Sequence, residues 1–159
     1  MPDPLRTPRL DLLPLRVEHA EEMAAVLADP ALHTFIGGSP LTPEALRARC
    51  ERLAAGSPDP DVSWCNWVLR LRAEGCLVGT VQATVTARAA EIAWVVGTPW
   101  QGRGLASEAA RALVGLLAGR TVIAHIHPGH TASAAVARAA GLAPTDAWQD
   151  GEVRWQRSG

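Results

Sequence analysis

Apolar and polar positions along the first third of this chain follow the patterns of one strand and two helices. Residues 9–16, RLDLLPLR, alternate and predict a strand. Residues 17–29 carry acidic side chains early and stop before Pro30, which predicts a helix. A second helix is predicted over residues 41–55, with Thr42 as its N-cap.

The rest of the chain is dominated by strands. Three apolar segments separated by short turns predict a meander of strands, over residues 64–72, 76–86 and 91–96. A helix of about 104–118 follows, and the buried strand at 121–126 that comes after it is expected to run parallel to 91–96. The chain ends with a helix over 131–141 and two short strands, around Trp148 and at 152–156. This order predicts one α/β domain, residues 1–159, with a mixed sheet.

Composition and charge exclude several classes of protein. With 159 residues, of which 48% are hydrophobic and 19% charged, the chain has the balance of a globular domain. A net charge of −1 and scattered arginines predict no nucleic-acid or membrane-surface partner. Three cysteines without a CxxC pair predict neither a disulfide framework nor a structural zinc site, and they fit a cytoplasmic location. An N-terminus without an apolar segment predicts no signal peptide.

The stretch QGRGLAS at 101–107 stands between a predicted strand and a predicted helix. The first N–H groups of a helix are unpaired and attract anions, and glycines let a ligand approach the backbone closely. We therefore interpret the turn as a phosphate or pyrophosphate cradle with Arg103 as a charged donor; a tight turn without a ligand is the alternative. No GxxxxGK[ST] run exists, and the dinucleotide fingerprint fails at Ser107. Glu108, in the first helical turn, either interacts favourably with the helix dipole or orients the loop.

Four segments in the expected order carry a resemblance to a known family. They are RLDLLPLR at 9–16, Glu91-Ile92 at the start of a strand, QGRGLASEA at 101–109 and HPGHTAS at 127–133. With Gln101, Gly104 and Ala106 in the pattern Q-x-x-G-x-A, the chain resembles the GNAT superfamily of acetyl-CoA-dependent N-acetyltransferases. It is similar to the ribosomal-protein N-terminal (RimJ/RimL-type) branch. The resemblance implies an α/β GNAT fold, with a mixed central sheet, splayed parallel strands and helices on both faces.

The resemblance also implies which residues bind acetyl-CoA. The backbone of Trp94, Val95 and Val96 is expected to hydrogen-bond the pantetheine arm, and an N–H here can receive the oxyanion. The pyrophosphate is expected on the turn and the start of the next helix, namely Gln101, Gly102, Arg103, Gly104, Leu105, Ala106 and Ser107. His130 stands where the family has an asparagine and can still donate a hydrogen bond to the cofactor. Ser133 matches the family serine whose hydroxyl reaches the thioester sulfur.

The implied reaction is attack of a primary amine on the acetyl thioester, and the amine must first lose a proton. An α-amine has a pKa of about 8 and a lysine about 10.4, so an α-amine is the easier nucleophile at neutral pH. Glu91, acting through a water, and His125 are the candidate bases; an ion pair at a strand end and a packed histidine are the alternatives. The chain has no tyrosine to serve as general acid, but a thiolate leaves readily, and Ser133 or a water suffices. A protein N-terminus and a small-molecule amine are both candidate acceptors.

Two competing interpretations involve the histidines. His125, His127 and His130 resemble a zinc cluster, but no fourth ligand is near them in the sequence, so we expect no metal. His130 and the missing tyrosine also fit a non-catalytic GNAT-like module that binds acyl-CoA as a sensor or partner domain. Turnover of the thioester with amines separates such a module from an enzyme.

Overall fold

A computed structural model describes residues 2–35 and 38–159, which form an eight-stranded sheet with helices packed on it. The strands are β1 (Leu5–Arg6), β2 (Leu10–Pro14), β3 (Ser63–Leu71), β4 (Cys76–Val85), β5 (Ala89–Val96), β6 (Thr121–Ile126), β7 (Ala143–Gln149) and β8 (Glu152–Arg157). The α-helices are α1 (Ala20–Val26), α2 (Pro43–Ala55), α3 (Leu105–Leu116) and α4 (Thr131–Ala139). Short 3₁₀ helices occupy Val17–His19, Pro30–His33 and Thr98–Trp100. Within the described ranges, every helix is too short or too polar to cross a membrane.

The sheet has the strand order β1-β2-β3-β4-β5-β6-β8-β7. Every neighbouring pair is antiparallel except β5 and β6, which are parallel. The chain passes through α3 between these two strands, because a parallel neighbour can be reached only by a crossover. The predicted mixed α/β sheet is confirmed.

Two elements differ from the sequence-based expectation. The helix predicted over 17–29 is a 3₁₀ turn followed by α1, which ends at Val26. The carboxylate of Asp29 accepts a hydrogen bond from Ala31 N at 2.9 Å and caps the next 3₁₀ helix instead of ending α1. β1 is not predicted, because two residues are too few to show a periodic pattern. The other predicted ranges agree with the structure to within two residues.

Helices cover both faces of the sheet because adjacent residues of one strand point to opposite sides. On one face, the buried Trp67 belongs to a core that includes Leu113 of α3 and Ala137 of α4. On the other face, its neighbour Val68 packs in a second core with Cys50 of α2. Burying a large apolar side chain stabilises the fold by about 1.5–3 kcal/mol. The expected arrangement of helices on both faces is confirmed.

The backbone of β4 has no room for a side chain at Gly79, which lies opposite Val96 of β5. A Cβ built on Gly79 would overlap the carbonyl oxygen of Val95 and lie 3.0 Å from the Cα of Val96. Glycine therefore allows this part of β5 to lie close against β4.

We expect Gly79→Ala to lower the free energy of unfolding by about 1–3 kcal/mol, because the added methyl group must displace the backbone of β5. Gly115→Ala is the matched control, since Gly115 lies within α3 and the position of its Cβ is open space. That change should stabilise the protein by about 0.5–1 kcal/mol. Urea unfolding of both variants measures the difference. Equal stabilities would show that β5 accommodates the methyl group without strain.

Candidate functional site

The two parallel strands are paired only at their start. Pairing runs from Ala89 opposite Thr121 to Glu91 opposite Ile123, and beyond these three residue pairs β5 and β6 diverge. A cavity of about 1170 Å³ lies at the divergence, and its walls include Trp94, Val95 and Val96 of β5 and Ala124, His125 and Ile126 of β6. Backbone groups of β5 on this side have no strand beside them among the described residues, so they can pair with an extended ligand. The expected splay of the parallel strands is confirmed.

Two glycines shape the turn that leads into α3. Gly102 and Gly104 have φ angles of 76° and 77°, in the left-handed region that glycine adopts without steric cost. Gly104 is the N-cap of α3 and has no side chain to pair with the first N–H groups of the helix. The cavity lining includes Gly102, Gly104, Leu105, Ala106 and Ser107. Open N–H groups at the positive end of the helix dipole therefore border the cavity, and an anion fits there.

Gln101 and Arg103 have different surroundings. The side-chain amide of Gln101 lines the cavity and donates to the carbonyl of Val96 at 3.0 Å, so it ties the turn to the end of β5. The guanidinium of Arg103 donates to Glu74 Oε2 at 2.8 Å. That hydrogen bond, together with one from Trp100, holds the pKa of Glu74 below its ordinary value. The backbone of Arg103 lies in the turn while its side chain is held by Glu74, and its contact with a phosphate stays a prediction.

A buried carboxylate holds the glycine turn in place through Arg9. Glu108 is 9% exposed and accepts hydrogen bonds from the Thr7 hydroxyl at 2.5 Å, from Arg9 N at 2.9 Å and from Arg9 Nε at 2.8 Å. Arg9 Nη1 also donates to the carbonyl of Arg103 at 2.7 Å. Burial by itself would raise the pKa of Glu108, but the hydrogen bonds from Thr7 and Arg9 outweigh it and hold the pKa below its ordinary value. Glu108 therefore orients the loop. The sequence alone gives Arg9 no role, because its only signal there is its place as the first residue of RLDLLPLR.

The two candidate bases form one hydrogen-bonded pair. His125 Nδ1 lies 3.1 Å from Glu91 Oε2, and Arg154 Nε donates to His125 Nε2 at 3.3 Å. A guanidinium can only donate, so Nε2 is unprotonated and the imidazole proton is on Nδ1, which donates to Glu91. The His125 side chain is 5% exposed and lines the cavity, whereas that of Glu91 is 51% exposed. His125 thus donates to a half-exposed carboxylate and fixes its position.

The loop between β6 and α4 places two polar side chains on the cavity wall. Ser133 Oγ lies 3.3 Å from His130 Nε2, and both residues line the cavity. The ring of Phe35 stacks on His130, with centroids 4.6 Å apart and planes at 17°. Burial lowers the pKa of His130 from its ordinary value, and the nearby His127 lowers it further. His130 is therefore neutral at neutral pH and can donate or accept a hydrogen bond.

The three histidines considered as metal ligands are engaged separately. His125 is held by Glu91, His130 contacts Ser133, and His127 Nδ1 accepts a hydrogen bond from a backbone N–H at 2.9 Å. Within residues 2–35 and 38–159, no three His, Cys, Asp or Glu side chains are grouped so that they could hold a metal ion.

Comparisons with known proteins agree on a family and a fold. A family model described as an acetyltransferase (GNAT) domain matches residues 9–143. A GNAT-family acetyltransferase from Bacillus anthracis superposes with a TM-score of 0.80 at 21% identity, over 98% of each chain. RimL, a ribosomal L7/L12 alpha-N-protein acetyltransferase in complex with coenzyme A, gives 0.79 at 17% identity, again over 98% of each chain. The aminoglycoside acetyltransferase AAC(6')-Ib, also in complex with coenzyme A, gives 0.75 at 16% identity over 94% of each chain. No curated protein sequence matches.

We expect Arg9→Met to lower the free energy of unfolding by about 1–3 kcal/mol at neutral pH, because Glu108 loses its charged partner and stays buried. The pKa of Glu108 is depressed in the folded protein, so the stability it contributes is present above its ordinary pKa of 4.5. This contribution is lost as the pH falls through the folded value. The deficit of the variant should therefore shrink below about pH 4, and urea unfolding between about pH 3 and 7 measures it.

Glu74→Gln is the control for this experiment. It breaks the ion pair with Arg103, whose two side chains are 47% and 44% exposed, and exposed pairs contribute little to stability. Its unfolding should match that of the wild type at neutral pH. A deficit for Arg9→Met that does not change with pH would contradict the role given to Glu108.

Proposed function

This chain belongs to the GNAT acetyltransferase family, and from that premise we propose that it moves the acetyl group of acetyl-CoA to a primary α-amine, with Glu91 as proton acceptor. Acetyl-CoA supplies an acetyl thioester, which an amine attacks directly. The observation that carries the proposal is the series of hydrogen bonds from Arg154 through His125 to Glu91, at the point where β5 and β6 part. The acceptor is the α-amine of a protein N-terminus or of a small molecule.

Backbone groups account for most of the proposed donor site. The free edge of β5 at Trp94, Val95 and Val96 suits the amides of an extended pantetheine arm, because a strand edge pairs with an extended chain. The N–H groups at the start of α3 suit the pyrophosphate. The Ser133 hydroxyl, on the cavity wall beside His130, can donate a hydrogen bond to the departing sulfur.

The transfer makes one nitrogen–carbon bond and breaks one carbon–sulfur bond, and the amine, which begins as an ammonium, loses two protons. The amine nitrogen attacks the carbonyl carbon, the carbon–sulfur bond breaks, and the sulfur leaves as a thiolate. An N–H of β5 donates to the carbonyl oxygen as negative charge builds there. The first proton leaves the ammonium before attack and passes through a water to Glu91, whose half-exposed carboxylate is open to solvent. The second leaves the nitrogen after attack and neutralises the departing thiolate.

Glu91 takes the proton in this proposal because the unprotonated nitrogen of His125 already accepts a hydrogen bond from Arg154. His125 positions the Glu91 carboxylate by donating to it. A carboxylate that acts through water is a modest base, and this favours an amine that loses its proton easily. An α-amine, with a pKa of about 8 against about 10.4 for lysine, meets that condition.

A non-catalytic module that binds acetyl-CoA is the second candidate function. His130 in place of the family's asparagine, and a sequence without tyrosine, favour it. Such a module would bind acetyl-CoA and would release no CoA with any amine.

We expect Gly104→Val to weaken acetyl-CoA binding by about tenfold or more, because a β-branched residue is strained at a φ of 77° and its Cβ would lie 3.4 Å from the Arg9 guanidinium that holds the turn. Gly151→Val is the matched control, since Gly151 has a φ of 81° and open space around it, in the turn between β7 and β8. It carries similar backbone strain away from the cavity and should bind acetyl-CoA normally. Calorimetric titration measures both affinities. Unchanged affinity in a folded Gly104→Val protein would remove this turn from the donor site.

We expect Glu91→Gln to lower kcat by about 100-fold or more with an unchanged Kd for acetyl-CoA, because the side chain acts on the amine proton only. His125→Phe should have a smaller effect, and the double variant should be no slower than Glu91→Gln, since His125 acts through Glu91. CoA release, followed with a thiol reagent across pH and with peptide and small-molecule amines, gives the rates.

Two results would change the assignment. If Glu91→Gln kept the wild-type rate at every pH, His125 or a water would be the proton acceptor instead of Glu91. A wild-type protein that binds acetyl-CoA and releases no CoA with any amine would establish the binding module instead.

A further inference from the structure

A second cavity, of about 140 Å³, opens beside the main one. The two cavities share four lining residues, namely Arg49, Leu53, Asn66 and Gln82. Arg49 and Leu53 are one turn apart on α2 and so border the cavities from the same side of the helix. The remaining described walls of the smaller cavity are Trp64, Ala83 and Thr84, so Arg49 is the charged residue among the described residues that line it.

Strand register places the two amides on the same face of the sheet as Glu91. Asn66 of β3 lies opposite Gln82 of β4, and Gln82 lies opposite Ala93 of β5, so these residues form one row. The adjacent row contains Thr84 opposite Glu91. Strands are about 4.8 Å apart and alternate residues about 6.8 Å, so the row of amides begins about 8 Å from Glu91 and ends about 12 Å from it.

The polar groups of this region are free to bind a ligand. Among the described residues, no side chain is hydrogen-bonded or ion-paired to the side chains of Arg49, Asn66 or Gln82. A carboxamide both donates and accepts, which matches the C=O and N–H groups of a peptide backbone. A guanidinium pairs with a carboxylate through charge-assisted hydrogen bonds. The combination suits a peptide that carries an acidic side chain.

Resting on the function proposed above, we infer that Arg49, Asn66 and Gln82 form an acceptor subsite for the start of a peptide. Arg49 pairs with a carboxylate side chain at the second or third residue of that peptide, while the two amides bind its backbone. An extended chain advances about 3.4 Å per residue, so the third residue lies about 7 Å from the first, and its backbone reaches the near end of the row of amides when the α-amine is near Glu91.

Charge at the two ends of the site sets the direction of the peptide. Glu91 stands at the amine end, hydrogen-bonded to the cavity-lining His125, and Glu152 of β8 places a carboxylate on the wall of the main cavity. Arg49 stands at the other end. A peptide therefore binds in one direction only, with its N-terminal ammonium group near Glu91 and its side-chain carboxylate near Arg49.

Peptides that differ in one charge test the subsite. Ala-Glu-Ala amide, Ala-Gln-Ala amide and Ala-Lys-Ala amide, with Ala-Ala-Glu amide for the third position, are titrated into the protein saturated with CoA. CoA has no acetyl group to transfer, so binding is measured without turnover. Of the two Glu peptides, the one whose carboxylate reaches Arg49 should bind about tenfold more tightly than the Gln peptide. The Lys peptide should bind most weakly. Arg49→Gln should abolish this preference, and Arg49→Glu should reverse it in favour of the Lys peptide.

Arg47→Gln is the matched control variant. Arg47 also lies on α2, pairs with Glu51 at 3.7 Å and should leave the preference of the wild type intact. Equal affinities of the wild type for all four peptides would overturn the subsite, as would the same preference in Arg49→Gln.

Rates with acetyl-CoA and the same peptides keep the two proposals apart. Acetylation of all peptides with equal efficiency would leave transfer to an α-amine standing and remove the subsite. Binding that depends on charge, without CoA release, would keep the subsite and remove the transfer.

Discussion

The parting of β5 from β6 is the constraint on which the rest of the structure depends. A strand that leaves its neighbour exposes N–H and C=O groups, and these need another partner. Each parting strand here keeps its outer neighbour, since β4 pairs with β5 over Ala90–Val96 and β8 pairs with β6 over Val122–Ile126. The sheet therefore stays continuous around both cores while a cleft opens at its centre. Glu91 lies at the last paired position of the parting strands, and His125, two residues beyond its partner Ile123 on β6, contacts it through the side chain.

The cleft also depends on a turn that is not rigid by itself. Glycines at 102 and 104 permit the left-handed backbone but do not enforce it. The turn is held in place by residues near the N-terminus, where Thr7 and Arg9 donate hydrogen bonds to the Glu108 carboxylate. Arg72 in turn donates to the carbonyls of Thr7 and Leu10 and fixes the segment that carries them. These contacts hold the turn, so an anion meets N–H groups that are already in position, and less ordering accompanies binding.

Periodicity and motif spacing predict the strands, helices and turns that residues near each other in the sequence determine. They do not predict contacts between residues that are far apart in the sequence. The long apolar segments of β4 and β6 predict those strands within a residue, and QGRGLAS predicts a turn at the start of a helix. Contacts across the sheet depend on register, which the spacing along one strand does not contain. Glu91 and His125 therefore emerge from the sequence as competing bases, although they form one pair. Asn66 and Gln82 share no motif, and only strand pairing places them side by side.

The near-neutral charge of the chain limits how its site can select a substrate. With 15 Lys and Arg residues against 16 Asp and Glu, there is little net field to steer an amine from a distance. Salt screens exposed charges beyond about 8–10 Å, so selection depends on groups at the cavity itself. Arg9, Arg103 and Arg154 are each held by a side chain of the protein. Arg49 lines the cavity and has no such partner among the described residues, so a ligand can neutralise its charge.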